Sequence, residues 1–537
     1  MQLCTIVLLA VLLLVAVFFV EARPGVRRGG PRRSRWGSMT ANDVENFKKS
    51  LGRTNLERFH NALVRHRADI DQEIDEQTKD FNEKIKQVRT KTRSKSWHKL
   101  GDSVAEVNEN VGVAENLYKG DMALINEQID LLLGEYVDES DASGSNKTIE
   151  NPIHNRFRRQ AYRPTKYPVT LWGMGSSTPI FYYQFDSSLS PAAKLVAEIA
   201  ITYWRNYTCI NFLESSTAVN RTRFFKGSGC YSYIGMIGGV QDLSLGNGCE
   251  SVGTALHEIG HALGFFHTQS RNDRDTYITI NYNNIPQDWL GQFRKETTAT
   301  NFNYGMPYDY GSVMQYGGAS VSPDGSTTML AKAPQYQDTM GSDFASFYDL
   351  SMMNEHYKCT AKCTTGAVCL NGGIRNSRNC ASCLCPSGWG GTTCNTRASG
   401  CGETLIATST VQSLTISVGD GRNVENPNFA KCNYIIAAPT GKKVEIVLQT
   451  LSNQQCFEGC IYTGIEIKGI SDHRFTGMRY CCPDDAKTKI ISEGNQVPVI
   501  AFNRFSKSAV TLTYRYVEAT IPSTLTTGNI VATKPTY

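Results

Sequence analysis

The distribution of cysteine is the feature that most restricts how this chain can fold. One of the 17 cysteines, Cys4, lies in the first apolar segment, and the other 16 all follow residue 208. An even set of cysteines, concentrated in one part of a chain, predicts a disulfide framework formed in an oxidising compartment. The 537 residues also exceed what a single core accommodates. We therefore expect a cysteine-free N-terminal region followed by several disulfide-bonded domains.

The first residues have the pattern of a secretory signal peptide. An apolar run over residues 3–20 precedes a small-residue cleavage site before Arg23. The run is nearly long enough to cross a bilayer, so an uncleaved signal anchor is the alternative, and no later segment is apolar and long enough to span. We predict that residues 1–22 are removed and that the protein is secreted. Three Asn-x-Thr triplets are predicted N-glycosylation sites, at Asn146, Asn206 and Asn220.

Residues 23–159 differ in composition from the rest of the chain. They are polar, rich in Lys, Arg and Glu, and free of cysteine. Leu56, Phe59 and Leu63 recur at helical spacing, which predicts short amphipathic helices. The segment ends in a basic run that closes with Arg159. This position predicts a propeptide that is cut after Arg159, and an ordinary basic surface turn is the alternative.

The next 200 residues alternate strand-like and helix-like segments. Ser190 followed by Pro191 predicts the N-cap and first position of a helix. A second helix is predicted over residues 252–263. Residues 160–359 are therefore predicted to form one α+β domain.

Three further segments follow this domain. Residues 360–395 hold six cysteines in a stretch too short to fold without disulfides. Residues 401–517 contain runs of alternating apolar and polar residues, which predict an antiparallel β-sandwich. Residues 518–537 are rich in Thr and Pro, which predicts a disordered tail.

A cluster of histidines indicates a metal site. His257 and His261 are four residues apart, so on a helix they project from the same face and can reach one ion. Gly264 can adopt a positive φ and end the helix, which allows His267 to return as a third ligand. Three nitrogen ligands leave a position for water, as a catalytic zinc site requires. Glu258 is then suited to act as general base. Histidines on a helix surface are the alternative, but three of the nine histidines lie within this segment.

This extended motif is typical of metzincins, and its surroundings resemble the astacin family. The resemblance rests on residues 267–275, which follow the third histidine, and on residues 312–316, which resemble the astacin Met-turn. It implies that Met314 packs beneath one zinc ion per subunit. It also implies that the Tyr316 phenol binds the metal at rest and then stabilises the transition-state oxyanion. For Met314 and Tyr316, plain core packing is the alternative.

The resemblance covers nearly the whole chain. It implies a two-subdomain α+β zincin catalytic domain over residues 160–359, an EGF-like module over residues 360–395 and a CUB-like domain over residues 401–517. We predict no calcium in either module, because residues 462–464 lack the Asp typical of calcium-binding CUB domains and the segment before residue 363 lacks the acidic cluster of calcium-binding EGF modules. The implied disulfides are Cys209–Cys359, Cys230–Cys249, Cys363–Cys380, Cys369–Cys383, Cys385–Cys394 and Cys401–Cys432. The remaining four cysteines, Cys456, Cys460, Cys481 and Cys482, allow three connectivities.

The propeptide also resembles that of astacins. Residues 118–121, Tyr-Lys-Gly-Asp, match an aromatic-x-Gly-Asp element whose Asp replaces the catalytic water. The resemblance implies that Asp121 binds zinc in the zymogen. The match has departures, because Thr268 stands where the family usually has Glu and Asp343 stands where many members have Arg.

These features predict a secreted zinc metalloendopeptidase that is made as a zymogen. Residues 235–246 and 304–311 are similar to nematode astacins, so extracellular proteins, with cuticle collagens as a candidate, are the expected substrates. A net charge of +5 over this length gives no reason to expect nucleic-acid binding, and no stable membrane span is expected. The alternative is an inactive matrix-binding protein that acts through its EGF-like and CUB-like parts. The presence of Glu258 with all three histidines favours the enzyme.

Overall fold

The computed structural model describes residues 39–68, 71–85, 91, 93–133, 161–162, 170–173 and 178–518. The predicted signal peptide, Asn146, Arg159 and the C-terminal tail lie outside the described residues. Among the described residues, no helix has the length and apolarity needed to cross a membrane.

The N-terminal segment, residues 39–133, is mainly helical. Its first helix begins with a capping box in which Thr40 and Asp43 exchange hydrogen bonds. The helix predicted from Leu56 and Phe59 is the second, and Phe59 is buried. The helices are α1 (Ala41–Ser50), α2 (Leu56–Ala68), α3 (Asp71–Lys84), α4 (Val104–Val111) and α5 (Asn126–Leu133), and the one strand described here is β1 (Met122–Ala123).

The central region, described over 161–162, 170–173 and 178–359, combines a sheet with three helices. Its strands are β2 (Ala161–Tyr162), β3 (Ile180–Phe185), β4 (Asn211–Glu214), β5 (Arg221–Phe225), β6 (Cys230–Tyr233), β7 (Val240–Leu245), β8 (Ile278–Ile280), β9 (Asn301–Phe302) and β10 (Met329–Ala331). Its helices are α6 (Pro191–Tyr207), α7 (Val252–Ala262) and α8 (Phe347–His356). As predicted, Ser190 caps α6, because its hydroxyl accepts a hydrogen bond from the Ala193 amide.

One sheet joins the N-terminal segment to the central region. The strand order is β1-β6-β7-β5-β3-β4, with β6 antiparallel to β7 and the other neighbours parallel. Strand β1 therefore extends the central sheet at the edge formed by β6. Helices α6 and α7 pack on this sheet around buried Trp204 and Ile259. Between residues 264 and 346 the central region consists mostly of turns, short strands and short 3₁₀ helices.

The C-terminal part is built from strands. Residues 374–397 form two hairpins, from β11 (Ile374–Asn376), β12 (Asn379–Leu384), β13 (Trp389–Gly390) and β14 (Thr396–Arg397). The C-terminal sandwich, residues 404–518, contains β15 (Thr404–Ile406), β16 (Gln412–Gly419), β17 (Glu425–Ala437), β18 (Lys442–Ser452), β19 (Thr463–Ile467), β20 (Met478–Tyr480), β21 (Lys489–Ile491), β22 (Gln496–Phe505) and β23 (Lys507–Glu518). They form a five-stranded sheet, β15-β17-β22-β19-β20, and a four-stranded sheet, β16-β23-β18-β21. The expectation of an antiparallel sandwich is wrong at one pair, because β15 runs parallel to β17.

Eight disulfides staple the described residues. They include the six pairings that the family resemblance implies. The four cysteines whose pairing the sequence left open are joined as Cys456–Cys482 and Cys460–Cys481.

The C-terminal sandwich packs directly against the central region. A single hydrophobic core contains Ile278 and Tyr308 of the central region together with Ile465 and Val499 of the sandwich. Polar contacts accompany this core, since Arg479 donates a hydrogen bond to the Ser342 hydroxyl at 2.7 Å. The two parts therefore share buried surface, unlike domains joined only by a linker.

Candidate metal centre and active site

Helix α7 and the turn that follows it bring three histidines together. The helix carries His257, Glu258 and His261 on buried positions. Gly264 then adopts a φ of +107°, a conformation that L side chains rarely adopt, so glycine favours the break. The chain turns sharply there, and His267 comes back to face the first two histidines.

The three imidazoles converge on one point. The Nε2 atom of His257 lies 3.0 Å from that of His261 and 3.2 Å from that of His267. The Nδ1 atoms of His257 and His261 lie 2.7 Å from the carbonyl oxygens of Val313 and Phe265. Because a carbonyl oxygen can only accept, these Nδ1 atoms carry the proton and the Nε2 atoms present lone pairs. Lone pairs this close repel unless a cation lies among them, so the donor set fits a metal ion.

Met314 supports the centre from beneath α7. Its side chain is fully buried. A Cβ added to Gly260 would lie 2.9 Å from Met314 Sδ, so the thioether packs directly against the helix backbone. The Met314 carbonyl also accepts a hydrogen bond from the Thr268 amide at 2.9 Å. The turn at residues 312–316 therefore holds both the helix and the segment of the third histidine.

Asp349 of helix α8 fixes the same turn. Its carboxylate accepts hydrogen bonds from the Ser312 hydroxyl at 2.6 Å and from the Val313 amide at 2.9 Å. Burial raises the pKa of Asp349 to about 6. The Val313 carbonyl, held in this way, orients His257, so Asp349 is a positioning residue. Sequence reasoning had no means of finding it, because an Asp near a helix start is equally typical of a cap.

Asp121 of the N-terminal segment lies at the point where the histidines meet. Its Oδ2 atom is 2.9 Å from His267 Nε2 and 3.1 Å from His257 Nε2. Its Oδ1 atom is 3.4 Å from His261 Nε2. Burial alone would raise the pKa of Asp121, but the neighbouring imidazoles outweigh burial and hold it well below its ordinary value. The four residues together form a buried cluster able to hold one metal ion.

Backbone contacts fix Asp121 in this position. Directly after it, β1 pairs with β6, and the Ser232 amide donates to the Asp121 carbonyl at 3.1 Å. Gly120 has a φ of +94°, and a Cβ there would lie 2.6 Å from the Trp289 ring. Only glycine therefore fits between the ring and the metal centre without displacing one of them.

Asn108 of helix α4 fixes the backbone on both sides of this contact, and its role was not predicted from the sequence. Its side-chain amide donates to the Gly120 carbonyl at 3.0 Å and to the Cys230 carbonyl at 2.6 Å. A signal existed, since Asn108 continues the apolar stripe of Val104 and Val107 on the buried face of its helix. A polar residue in such a stripe must find partners, because burying an unsatisfied amide is costly.

Glu258 is fully buried beside the metal centre. Neither of its carboxylate oxygens has a hydrogen-bond partner among the described residues. Burial, and secondarily the charge of Asp121, raise the pKa of Glu258 well above its ordinary value. A buried carboxyl group with a raised pKa in a metal site has the properties of a group that exchanges protons during a reaction.

The Tyr316 hydroxyl points into the same centre. It donates a hydrogen bond to Asp121 Oδ2 at 2.5 Å. Burial raises the pKa of Tyr316 above its ordinary value, so the phenol stays protonated and can donate.

Two of the predicted glycosylation sites, Asn206 and Asn220, lie on the surface with exposed side chains.

Comparison with known proteins gives consistent matches. The astacin family of peptidases matches residues 165–358. Zinc metalloproteinase nas-31 of Caenorhabditis elegans is 47% identical over 498 residues, which cover 90% of this chain and 79% of that protein. Zinc metalloproteinase nas-32 of the same organism is 40% identical over 431 residues, which cover 79% of this chain and 62% of that protein. Among solved structures, high choriolytic enzyme 1, a hatching enzyme zinc-protease from Oryzias latipes (medaka fish), is 32% identical, covers 35% of this chain and 95% of its own, and has a TM-score of 0.33.

Proposed function

Because the chain belongs to the astacin family of zinc metalloproteinases, we propose that it is a secreted endopeptidase, made as a zymogen, that cleaves extracellular proteins. The observation that carries this proposal is the convergence of three histidine Nε2 atoms beside a buried Glu258. We assign His257, His261 and His267 as the ligands of one zinc ion, with Met314 as the residue that supports them. When bound, zinc supplies Lewis acidity toward a water molecule and the scissile carbonyl.

In this proposal, one side chain beside the ion transfers protons and another keeps its proton to donate a hydrogen bond. Glu258 accepts a proton from the attacking water and delivers it to the leaving amine, and its raised pKa suits both transfers. The Tyr316 hydroxyl stays protonated, so it can donate a hydrogen bond to the oxyanion that develops on the substrate. Both groups lie on the side of the centre where Asp121 now sits.

Latency is proposed to depend on Asp121 and to end with a cut after Arg159. The Asp121 carboxylate occupies the position that water and substrate need, within 3.4 Å of all three imidazoles. The eight disulfides support secretion, because such a framework persists in an oxidising compartment. We propose glycosylation at Asn206 and Asn220, which are exposed, and at Asn146.

The parts after the central region are proposed to recruit substrate or partners. We assign residues 360–395 as an EGF-like module, supported by its three disulfides. Residues 401–517 are assigned as a CUB-like domain, supported by its two packed sheets. Cuticle collagens are the proposed substrate class, on the strength of the nematode relatives alone.

The test compares Glu258→Ala with the parent protein after processing behind Arg159. A denatured protein serves as substrate, and bound zinc is quantified in both. We expect the variant to lose about 10²–10⁴-fold of the rate, as removal of a general base does, and to keep one zinc ion. Glu198→Ala, which removes a carboxylate from an exposed position of helix α6, is the matched control and should retain full activity. If the parent binds zinc and cuts nothing, the chain is an inactive binding protein and the proposal fails.

A further inference from the structure

The N-terminal segment contacts more than the metal centre, because residues 91, 93, 94, 97, 98 and 102 contact the C-terminal sandwich. We propose that the boundary between the central region and the sandwich is a binding site for basic side chains of an extended protein substrate. The N-terminal segment occupies this site before processing. The inference rests on the proposed protease function and specifies how that protease selects its substrates.

Two buried carboxylates form the core of this site, one from each side of the boundary. Asp338 lies in the 3₁₀ helix Pro334–Thr339 of the central region, and Asp485 lies in the 3₁₀ helix Pro483–Asp485 of the sandwich. Each side chain is only 2% exposed. A carboxylate oxygen of one lies within 4.8 Å of a carboxylate oxygen of the other. The site is therefore incomplete without the sandwich.

The N-terminal segment inserts two cations into this pair. Lys91 forms ion pairs with both carboxylates, and its Nζ atom lies 2.5 Å from Asp485 Oδ1. Arg93 forms a second ion pair, with its Nη2 atom 2.6 Å from Asp338 Oδ1. In sequence, Lys91 and Asp338 are 247 residues apart. A cut after Arg159 would place Lys91 and Arg93 on a separate polypeptide from the two carboxylates, as a bound ligand is.

Release of the segment leaves the two carboxylates without their counter-charges. Two like charges this close repel each other, and a cation between them relieves the repulsion. Burial raises the pKa of Asp485, and protonation would relieve the repulsion. However, Asp485 Oδ2 accepts hydrogen bonds from the Cys481 and Cys482 amides at 3.1 and 2.9 Å, which favour its charged form. The processed protein therefore has a preformed place for a Lys or Arg side chain.

Further contacts show that the ligand is an extended polypeptide and not a single cation. The Ser94 amide donates to the Cys456 carbonyl at 2.8 Å, and the Cys456 amide donates to the Ser94 hydroxyl at 3.0 Å. The Trp97 ring stacks on Tyr462 at 5.4 Å and meets the edge of Phe505 at 4.0 Å. Backbone pairing with side-chain pockets on one side is a general mode of peptide recognition.

The occupied groove leads to the active site. Residues 102–105 of the N-terminal segment line a cavity. The central region contributes His257 and Tyr316 to the same cavity, and the sandwich contributes Ile461. A substrate that follows the same path can contact the acidic pair and the metal centre at once. The ligand is therefore a protein segment with two basic residues separated by one position, as in Lys91-Thr92-Arg93, located away from the bond that is cut.

A binding experiment tests the site without relying on catalysis. The probe is a fluorescent peptide of residues 88–97, which lacks Asp121 and histidine. It is added to protein that was produced as the whole chain, cut after Arg159 and freed of its N-terminal segment. We expect binding, weakening with added salt, and at least about tenfold weaker binding when Asp338→Asn and Asp485→Asn are combined. Asp484→Asn, which removes the neighbouring charge, should leave binding unchanged. A peptide that carries Lys91→Gln and Arg93→Gln should bind the parent protein more weakly by the same factor.

A kinetic arm connects the site to substrate choice. Two unfolded protein substrates differ only in a Lys-x-Arg segment that is replaced by Gln-x-Gln. The parent enzyme should show a higher KM for the second substrate with an unchanged kcat, and the double Asn variant should not distinguish them. The proposed site is overturned if the peptide binds parent and variant equally, or binds neither, while proteolysis is normal. The protease function then stands. Absent proteolysis by the parent would instead refute the protease function, and peptide binding would still decide the site.

Discussion

Replacing Asp121 with Asn should greatly weaken the hold of the N-terminal segment on the metal centre. The two side chains have the same shape, so the change removes a charge without creating a cavity. In the parent, the carboxylate would face the zinc ion held by the three imidazoles, and it accepts a hydrogen bond from the Tyr316 hydroxyl at 2.5 Å. Removing one partner from a buried ion pair costs about 3–5 kcal/mol. Since ~1.4 kcal/mol is tenfold in an equilibrium constant, the inhibition constant should rise by about two to three and a half orders of magnitude.

The assay measures inhibition in trans. Residues 23–159 are produced as a separate polypeptide and added to processed enzyme, and Ki is determined from hydrolysis of a short peptide substrate. A ratio of Ki values isolates the Asp121 contribution, because all other contacts are common to both inhibitors. Asp102→Asn is the control, since the Asp102 side chain reaches the sandwich through one hydrogen bond, which the Tyr462 hydroxyl donates at 2.7 Å, while its other two, from the Trp97 and His98 amides, lie within the segment. That loss should be worth about tenfold or less.

Equal inhibition by the parent and Asp121→Asn segments would refute the reasoning. Inhibition would then come from steric blockage by the whole segment, and the Asp121 carboxylate would contribute nothing to it. A large loss with both Asp121→Asn and Asp102→Asn would also contradict it, because it would indicate that either change unfolds the segment.

Two more predictions concern individual side chains. Tyr316→Phe should lower kcat by about 10²–10³-fold, as loss of one oxyanion donor does, with KM nearly unchanged; steady-state kinetics on processed protein checks this, and a change confined to KM would contradict it. A peptide of residues 88–101 should bind the processed protein more weakly as pH rises, because the hydrogen bond to Glu425 raises the pKa of His98, so that protonation favours the complex. This contribution is complete below the free-histidine pKa of about 6.5 and is lost as pH rises through the raised pKa; it should amount to about fivefold at most, since His98 is half exposed. Fluorescence titrations against a His98→Gln peptide, whose affinity should lack this pH dependence, measure the effect.

The parts of the site that sequence reasoning could reach are local ones. His257 and His261 meet because four residues are about one turn of a helix, and Gly264 ends that helix because glycine tolerates a positive φ. The same locality allowed the start of helix α6 to be predicted at Ser190 and Pro191. The helix predicted over about residues 252–263 is α7, which ends at Ala262 with Leu263 as its C-cap.

Contacts between distant segments were beyond sequence reasoning. Alternation of apolar and polar residues is the same in parallel and antiparallel strands, so the parallel pairing of β15 with β17 had no signature. Cys456 and Cys460 are nearly equally far in sequence from Cys481 and Cys482, so spacing could not choose between pairings. The meeting of Asp338 and Asp485 depends on how two whole folding units pack, which a local pattern does not encode.

The N-terminal segment behaves as one ligand with two anchors. Asp121 binds at the metal centre and Lys91 binds at the sandwich, and the folded helix α4 lies between them in sequence. Linked anchors raise each other's effective concentration, so the whole segment can bind more tightly than either anchor alone. In the proposed zymogen, a cut after Arg159 would break neither anchor, so the N-terminal segment would become a separate polypeptide that is still bound. Activity should appear only as the segment dissociates. The protein substrates that displace the segment best should be those that fill the acidic site and the active-site cleft together.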